Sequence, residues 1–320
     1  MTMVNTPPRV INRTSILRFI RSRRILRNWH LYLMLVPVIA YFAVFCYVPM
    51  YGITLAFKEH KAMLGIMGSP WANPLFRYFE RFFTSPYFTR VVVNTITISL
   101  QSLILCFPLP IILALCINEV RSSKYRKFVQ NITYAPHFLS TIVLVGVIRS
   151  FVNNDYGIVN LIIRAFGGTG YNWLQRADMF RPLYVGSAVW QNLGWDSIIY
   201  IAALAGIDPQ LHESAMIDGA NRFQRMWHIN LPGILPTVII LLVLNSGRIM
   251  NVGFEKVYLM QNDLNLSTSD VISTYAYRIG IESAQYSLST TISLFNSVVN
   301  CALLLFVNAI ARKSSEISLW

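Results

Sequence analysis

Six long apolar segments constrain this chain more than any other feature of its sequence. A helix needs about 20 mainly apolar residues to cross the roughly 30 Å of hydrocarbon in a bilayer. The chain is 54% hydrophobic and only 13% charged, and its apolar residues are clustered into segments of this length. They cover approximately residues 31–57, 92–118, 132–151, 183–205, 233–253 and 288–310. The sequence therefore predicts an all-α membrane protein with about six transmembrane helices.

Basic residues predict the orientation of these helices. The formal net charge is +13, and residues 1–29 contain seven arginines and no acidic residue, directly before the first apolar segment. This pattern is typical of a cytoplasmic flank that touches membrane lipid, so we expect no nucleic acid partner. The predicted cytoplasmic pieces hold 15 Lys and Arg residues in about 80 positions, and the outer loops hold 10 in about 100. We expect a multi-pass protein of the cell inner membrane with both termini in the cytoplasm.

The segments between and around the spans give the predicted domain organisation. It consists of a basic cytoplasmic tail (1–30), a first transmembrane helix (31–57), an aromatic-rich extracytoplasmic loop (58–91), a five-helix core (92–310) with a cytoplasmic loop at 206–232, and a cytoplasmic tail (311–320). Pro108 and Pro110 predict a kink in the second span. Residues 156–166 have the pattern of a short amphipathic helix at the membrane interface, ended by Gly167 and Gly168.

The sequence contains no recognisable catalytic or metal-binding constellation. None of the six lysines follows a glycine, so no phosphate-binding P-loop exists. His212 and Glu213 begin like a zinc-protease helix, but Met216 stands where the second zinc ligand belongs. The four cysteines all fall inside predicted spans, where they are small apolar residues. We therefore expect no catalytic residue, no metal site and no cofactor in this chain.

The cytoplasmic loop at 206–232 has the punctuation of two short helices. Asp208 is a good N-cap, and Pro209 follows at the first helical position, where its missing N–H costs nothing. Gly219 provides a left-handed stop after a helix of about ten residues. The second helix is predicted to run to about His228, and Pro232 marks the beginning of the next span.

This loop resembles the EAA loop of binding-protein-dependent ABC importer permeases. The family pattern is Glu-Ala-Ala, three residues, Gly, and then about nine residues to a hydrophobe-x-Leu-Pro. Here it stands as Glu213-Ser214-Ala215, Gly219 and Ile229-Asn230-Leu231-Pro232, with Ser214 in place of the first alanine. The resemblance implies the type I ABC importer permease fold with a cytoplasmic coupling helix. The residues implied to couple the chain to a separate ATPase subunit are Glu213, Ser214, Ala215, Gly219, Leu231 and Pro232.

Other segments resemble the polysaccharide- and oligosaccharide-uptake branch of this family, which includes alginate-importer subunits. They are Tyr47–Lys58 (YVPMYGITLAFK), Ser69–Trp71 (SPW), Asn251–Tyr258 (NVGFEKVY) and Asp270–Arg278 (DVISTYAYR). The resemblance implies a permease subunit that imports a carbohydrate. It also implies the partners: a second, homologous permease, two ATPase subunits that bind ATP and Mg²⁺, and an extracytoplasmic substrate-binding protein. The alternative is a freestanding secondary carrier or channel, which has no use for an ATPase-docking loop.

Two predicted spans carry polar and aromatic residues that suit a sugar path. Aromatic faces and hydroxyl-matching polar groups are the usual components of such sites. The candidates are Trp190, Asn192 and Trp195 on the fourth span, and Asn245, Arg248 and Asn251 on the fifth. The last three are spaced i, i+3, so they can share one helix face. The alternative for the asparagines is a structural role as polar contacts between helices.

Two charged residues inside the predicted spans are also functional candidates. Asp196 lies about nine residues from the inner end of the fourth span, and Arg248 lies about 15 from the inner end of the fifth. At about 1.5 Å per residue their depths differ by roughly 9 Å. We therefore expect no direct ion pair between them.

Overall fold

The computed structural model describes residues 28–315, with side chains up to residue 313. The predicted basic tail lies outside these residues except for its last three positions, and so do residues 316–320 of the predicted C-terminal tail. Regular structure in the described range is helical, apart from one isolated antiparallel β-bridge between Lys58 and Trp71. The prediction of an all-α protein is confirmed.

The helices up to residue 170 include two interrupted spans. Helix α1 continues through a π turn (Ala43–Tyr47), one α-helical turn (Val48–Met50) and a 3-10 turn (Tyr51–Phe57), and a 3-10 turn (Ala135–Phe138) extends α6. The α-helices are α1 (Trp29–Phe42), α2 (Gly65–Gly68), α3 (Arg77–Phe83), α4 (Phe88–Cys106), α5 (Pro108–Asn118), α6 (Ser123–Tyr134), α7 (Thr141–Phe151) and α8 (Ile158–Ala165).

The helices after residue 170 include the two longest in the described range. They are α9 (Ala177–Ala205), α10 (Pro209–Ile217), α11 (Arg222–Arg225), α12 (Leu231–Ser246), α13 (Phe254–Met260), α14 (Leu266–Ser269), α15 (Ile272–Tyr277) and α16 (Tyr286–Ser315). A 3-10 turn (Trp173–Gln175) precedes α9, and π turns follow α11 (Met226–Asn230) and α15 (Arg278–Glu282).

Four helical runs in the described range are long and apolar enough to cross a membrane. They are Trp29–Phe57, Phe88–Asn118, Arg222–Ser246 and Tyr286–Lys313. A fifth is formed if the pair Ser123–Phe138 and Thr141–Phe151, bent by 102°, counts as one span. The predicted fourth span lies within α9, which has 29 residues but carries Gln191, Asn192 and Asp196 along its middle. Its length suffices for a span, whereas its composition alone does not identify one.

Two breaks in the spans have identifiable causes. The predicted span 132–151 is not one straight helix, because Pro136 has no N–H to donate and Ser140 caps a new helix by accepting from the Val143 amide at 3.4 Å. The kink expected at Pro108 appears as an interruption at Phe107, between α4 and α5. Both breaks are therefore local consequences of proline.

The described residues divide into two units, with the boundary between Thr54 and Leu55. The described part of the first unit is the helical run that begins at Trp29. The second unit contains three clusters of buried apolar side chains. The first includes Leu144, Phe180 and Val257, the second includes Phe82, Ile272 and Ile292, and the third includes Ala114, Tyr200 and Ile234. In each cluster, helices that are distant in sequence meet.

Candidate translocation cavity and coupling surface

A cavity of about 390 Å³ lies between α4, α9 and the non-helical segment that follows α12. Four of the six predicted path residues line it: Asn192, Asn245, Arg248 and Asn251. Asp196, one helical turn from Asn192, lines the same cavity. Its volume falls in the range of sites that hold small molecules. The structure therefore brings polar residues of two predicted spans together at one cavity.

The two predicted tryptophans do not line this cavity. Trp195 stacks on His137 with ring centroids 4.4 Å apart and an interplanar angle of 4°. For Trp190 helix geometry gives the reason, because Asn192 and Asp196 at i, i+4 share a face, whereas Trp190 lies about 160° away from Asn192 around the helix axis. The prediction that Trp190 and Trp195 line the path together with Asn192 finds no support in this cavity.

Arg248 and Asp196 face the cavity without forming an ion pair. The salt bridges within residues 28–313 join Arg90 and Arg278 to Asp270, and Arg176 to Asp178. In the same range the Arg248 guanidinium has no hydrogen-bond or ion-pair partner and the residue is exposed. This geometry agrees with the expectation that Asp196 and Arg248 form no direct ion pair. The cavity therefore offers a free cation and a free carboxylate to a ligand.

Asn251 has a structural role as well as a place on the cavity wall. Its Oδ1 accepts hydrogen bonds from Asn296 Nδ2 at 2.9 Å and Asn300 Nδ2 at 3.0 Å, both on α16. Asn300 Oδ1 in turn accepts from the Met250 amide at 2.9 Å. These bonds satisfy backbone and side-chain groups where α12 has ended at Ser246. They hold the non-helical segment that carries Arg248 against α16.

A second cluster holds Asn192, and sequence reasoning missed it. His137, in the break between α6 and α7, lies with Nδ1 3.1 Å from Asn192 Oδ1. The Asn192 amide donates to the Ala188 carbonyl at 3.2 Å. The helices approach closely beside this cluster, because a Cβ added to Gly194 would lie 2.2 Å from the Thr133 carbonyl oxygen. A lone histidine next to Pro136 gave no periodic signal that could have placed it.

The first helix of the loop at 206–232 begins and ends with the predicted capping residues. Asp208 Oδ1 accepts from the Gln210 amide at 2.9 Å, and Pro209 begins α10. Gly219 has φ of 81°, the left-handed conformation that favours glycine. Asn221 then opens α11 with a capping box, since it accepts from the Gln224 amide at 2.9 Å and its own amide donates to Gln224 Oε1 at 2.7 Å.

The second helix of this loop does not end near His228 as predicted. It continues through the π turn Met226–Asn230 into α12, forming one run from Arg222 to Ser246. Leu231 and Pro232 are the first two residues of α12, so Pro232 lies inside this run, directly after the π turn. The wider π turn before it accommodates the missing donor.

The surface of this loop is apolar and unburied. Ile217, Phe223 and Trp227 are 86%, 77% and 67% exposed. Between α10 and α11 lies a pocket of about 320 Å³, lined by Ala215, Gly219, Ala220, Gln224, Arg225 and His228 among others. Glu213 and Ser214 are exposed on α10. The exposed apolar residues were not among the predicted coupling residues, although their position in the loop could have suggested them.

Comparison with known proteins agrees with this geometry. A family model described as "Binding-protein-dependent transport system inner membrane component" matches residues 106–315, which is more than half of the chain and includes the loop and most of the residues that line the cavity. The chain belongs to this family. It is a transmembrane permease subunit of an ABC importer, and membership decides against a freestanding carrier.

Individual relatives cover nearly the whole permease. It is 43% identical over 290 residues to Protein LplB of Bacillus subtilis (strain 168), covering 91% of each chain. It is 40% identical over 293 residues to the polygalacturonan/rhamnogalacturonan transport system permease protein YteP of the same organism, covering 92% of this chain and 91% of the relative.

Solved structures show the same fold. A crystal structure of a bacterial ABC transporter involved in the import of the acidic polysaccharide alginate contains a chain with a TM-score of 0.84 and 42% identity, covering 92% of this chain and 98% of that one. A structure of the bacterial alginate ABC transporter in complex with an alginate pentasaccharide-bound periplasmic protein contains a chain with a TM-score of 0.84 and 41% identity. The match covers 93% of this chain and 99% of that one. The predicted ABC importer permease fold is confirmed.

Proposed function

We propose that this permease forms the translocation path for an acidic oligosaccharide in an ATP-driven importer. The observation that carries the proposal is the unpaired Arg248 guanidinium on the cavity wall. An arginine within a predicted span needs water or an anion beside it, and a uronate carboxylate matches its guanidinium with charge-assisted hydrogen bonds. The relatives support the substrate class, because YteP is named for polygalacturonan and rhamnogalacturonan and the similar structures are of an alginate importer.

The other cavity residues fit the hydroxyl groups of a sugar. Asn245 has no side-chain partner within residues 28–313, so its amide can both donate and accept. The Asp196 carboxylate accepts hydrogen bonds from hydroxyl groups, and it lines the same space. In this proposal Arg248 binds the carboxylate, while Asn192, Asn245 and Asp196 contact hydroxyl groups and Asn251 positions the segment that carries Arg248.

For coupling, we propose that α10 docks on a separate ATPase subunit. The small residues Ser214 and Ala215 allow close approach, the turn at Gly219 sets the direction of α11, and exposed Glu213 can pair with a basic group. Leu231 and Pro232 begin the span that receives the motion. ATP and Mg²⁺ are then bound by two partner ATPase subunits, and this chain has no hydrolytic activity of its own.

The proposed assembly contains a second homologous permease and an extracytoplasmic substrate-binding protein. One of the similar structures contains a substrate-bound periplasmic protein, which supports the latter. Both termini are placed in the cytoplasm on the distribution of Lys and Arg. This orientation puts α10 on the side of the ATPase subunits and residues 58–91, 152–182 and 254–287 on the side of the binding protein.

The test is Arg248→Gln in the assembled, reconstituted importer. Loss of a charge-assisted contact of about 1.5–3 kcal/mol is expected to lower uptake of an acidic oligosaccharide about tenfold or more, with basal ATP hydrolysis unchanged. Arg248→Lys retains the charge but not the planar, two-pronged geometry of the guanidinium. Its uptake is expected to lie between that of the wild type and that of Arg248→Gln. Arg149→Gln is the matched control, because Arg149 lies outside the cavity and donates to the Leu259 carbonyl. Unchanged uptake in Arg248→Gln would disprove the role of Arg248, whereas lost assembly would indicate a structural one.

A further inference from the structure

Helix α8 has its apolar side chains on the outside and a polar side chain on the inside, the reverse of a helix that covers the core of a water-soluble protein. Ile158, Leu161, Ile162 and Phe166 are all at least half exposed, and Phe166 is 89% exposed. Their spacing places them on one face, at i, i+3, i+4 and i+8. Asn160 lies on the opposite face and is fully buried. A helix in contact with water shows the reverse arrangement, so this apolar face requires a non-aqueous neighbour.

The buried Asn160 is fully used inside the protein. Its Nδ2 donates to the carbonyls of Asn153 and Tyr171, each at 2.9 Å. Its Oδ1 accepts from the Tyr171 amide at 3.0 Å and from Trp173 Nε1 at 2.9 Å. Four hydrogen bonds fix the rotation of α8 about its axis, because any other rotation leaves the amide unsatisfied. The outward direction of the apolar face is therefore specified by the fold.

Further contacts fix the depth of α8. A Cβ on Gly157 would lie 2.4 Å from the Asn153 carbonyl oxygen and 2.6 Å from that of Phe151, so the backbone before α8 packs directly on the last turn of α7. Near the other end, Arg164 Nη2 donates to the Asn154 carbonyl at 2.8 Å. Helix α8 is thus fastened along the segment at which α7 ends. If the bent pair of α6 and α7 is one span, its end at Phe151 lies where hydrocarbon gives way to headgroups.

We propose that α8 is an interfacial anchor whose apolar face lies against the acyl chains of the phospholipid leaflet at the end of α7. The preceding helix α7 also carries exposed apolar side chains, since Ile142 and Phe151 are 65% and 53% exposed. Tyr156, 67% exposed, stands just before the helix, where an amphipathic ring suits the headgroup level. The helix resists sliding of the bent span along the membrane normal. The assignment of this leaflet as the outer one rests on the orientation given with the proposed function, and the rest of the proposal does not.

The test uses nitroxide labels in the complete importer in nanodiscs of phosphatidylethanolamine and phosphatidylglycerol. The four free cysteines are replaced by alanine, and single cysteines are introduced at 161, 162 or 166. The ratio of accessibility to oxygen over a water-soluble nickel chelate is expected to be about threefold or more higher at these positions than at exposed Asp155, as for a face in acyl chains. Ile142→Cys, on the span itself, is the lipid-facing reference.

Two outcomes would overturn the proposal. A ratio at 162 and 166 equal to that at Asp155→Cys would place the face in water. Low accessibility to both reagents with an immobilised spectrum would place it against another subunit. A second measurement needs no substitution: a phospholipid with a photoactivatable acyl diazirine should label Leu161, Ile162 or Phe166 of the native chain and not Asn160. Neither measurement depends on the transported sugar, so the anchor and the proposed substrate fail or succeed separately.

Discussion

Two segments that connect spans of this permease are built in opposite ways. Residues 254–287 contain fully buried polar side chains, including Asn265 and Asp270. Residues 208–225 contain no buried residue in α10 or α11, and Ile217 and Phe223 are largely exposed. Both segments are rich in short helices and turns. They differ in whether their interactions are completed within the chain.

In the first segment, Asp270 is the centre of a closed network. Its carboxylate accepts from Arg90 and Arg278, each at 2.8 Å. Asn94 on α4 donates to the Asp270 carbonyl at 3.0 Å, and its own Oδ1 accepts from Arg181 on α9 at 2.8 Å. A buried carboxylate is tolerated only with such partners. The network joins α4, α9 and the 254–287 segment into one body without any other subunit.

The second segment satisfies its backbone with local caps but leaves its apolar side chains in solvent. Exposed large apolar residues concentrated on one surface mark a contact with another protein. The comparison teaches that the interactions of one connection are completed within this chain, whereas the other leaves an apolar surface free for the ATPase subunit that we propose as its partner. Substitutions should therefore affect folding in the first segment and coupling in the second.

The largest effect on stability is expected for Asp270→Asn. The change leaves two arginines around a neutral side chain, and breaking a buried ion pair costs about 3–5 kcal/mol. Thermal unfolding of the purified chain in detergent is the measurement. Asp178→Asn is the matched control, because Asp178 pairs with Arg176 at 2.7 Å on the surface, where water screens the pair and its loss changes stability little. Equal shifts in Tm for the two variants would contradict the closed-network interpretation.

The next largest effect is expected in coupling, from Gly219→Pro. Proline cannot adopt φ of 81° and removes the amide that donates to the Met216 carbonyl at 3.1 Å. Transport should be lost while membrane insertion and Tm remain close to wild type, and Glu213→Ala should show a milder form of the same defect. Gly206→Ala is the control, since its φ of −85° suits any residue. Wild-type uptake in both Gly219→Pro and Glu213→Ala would refute the coupling role of α10.

A pH-dependent effect is expected from Lys256 in the closed segment. Its Nζ donates to the Tyr184 carbonyl at 3.1 Å, and burial lowers the pKa of Lys256 from 10.5 to about 8. Between these values the unfolded chain binds more protons, so the contribution of Lys256 to stability rises with pH from about 8 to 10.5, by up to about 3 kcal/mol. Below pH 8 Lys256 is charged in both the folded and the unfolded chain, so the cost of burying its charge does not change with pH.

Lys256→Met isolates this contribution. The Tm difference between wild type and variant should change between pH 8 and 10, in favour of the wild type as pH rises, and should be constant between pH 6 and 7.5. A difference that does not depend on pH across the whole range would show that Lys256 is not held in a dehydrating environment.

The smallest effect on stability is expected for Phe223→Ser in the coupling segment. Phe223 is 77% exposed, so its removal should change the free energy of unfolding by no more than about 0.5 kcal/mol. Affinity for the ATPase subunit, measured with the purified complex, should nevertheless fall. A large loss of Tm with unchanged subunit affinity would reverse the distinction between the two segments.

Local patterns in the sequence were sufficient for much of this permease. The apolar segments, the N-cap at Asp208, the left-handed turn at Gly219 and the spacing to Pro232 all depend on neighbours within a few residues. The same holds for α8, whose amphipathic pattern and end at Gly167 are confirmed as a helix over Ile158–Ala165. The i, i+3 spacing of Asn245, Arg248 and Asn251 predicted one shared helix face, but α12 ends at Ser246. The three line one cavity because the non-helical segment after α12 carries Arg248 and Asn251 there.

Tertiary structure decided the features that join distant residues. Asp270 and Arg90 are 180 positions apart, and no local pattern relates them. Trp195 is directed to His137 and not to the cavity, because helix packing at Gly194 chooses which face of α9 meets α6. Periodicity specifies which residues share a face, but only packing in three dimensions specifies what that face meets.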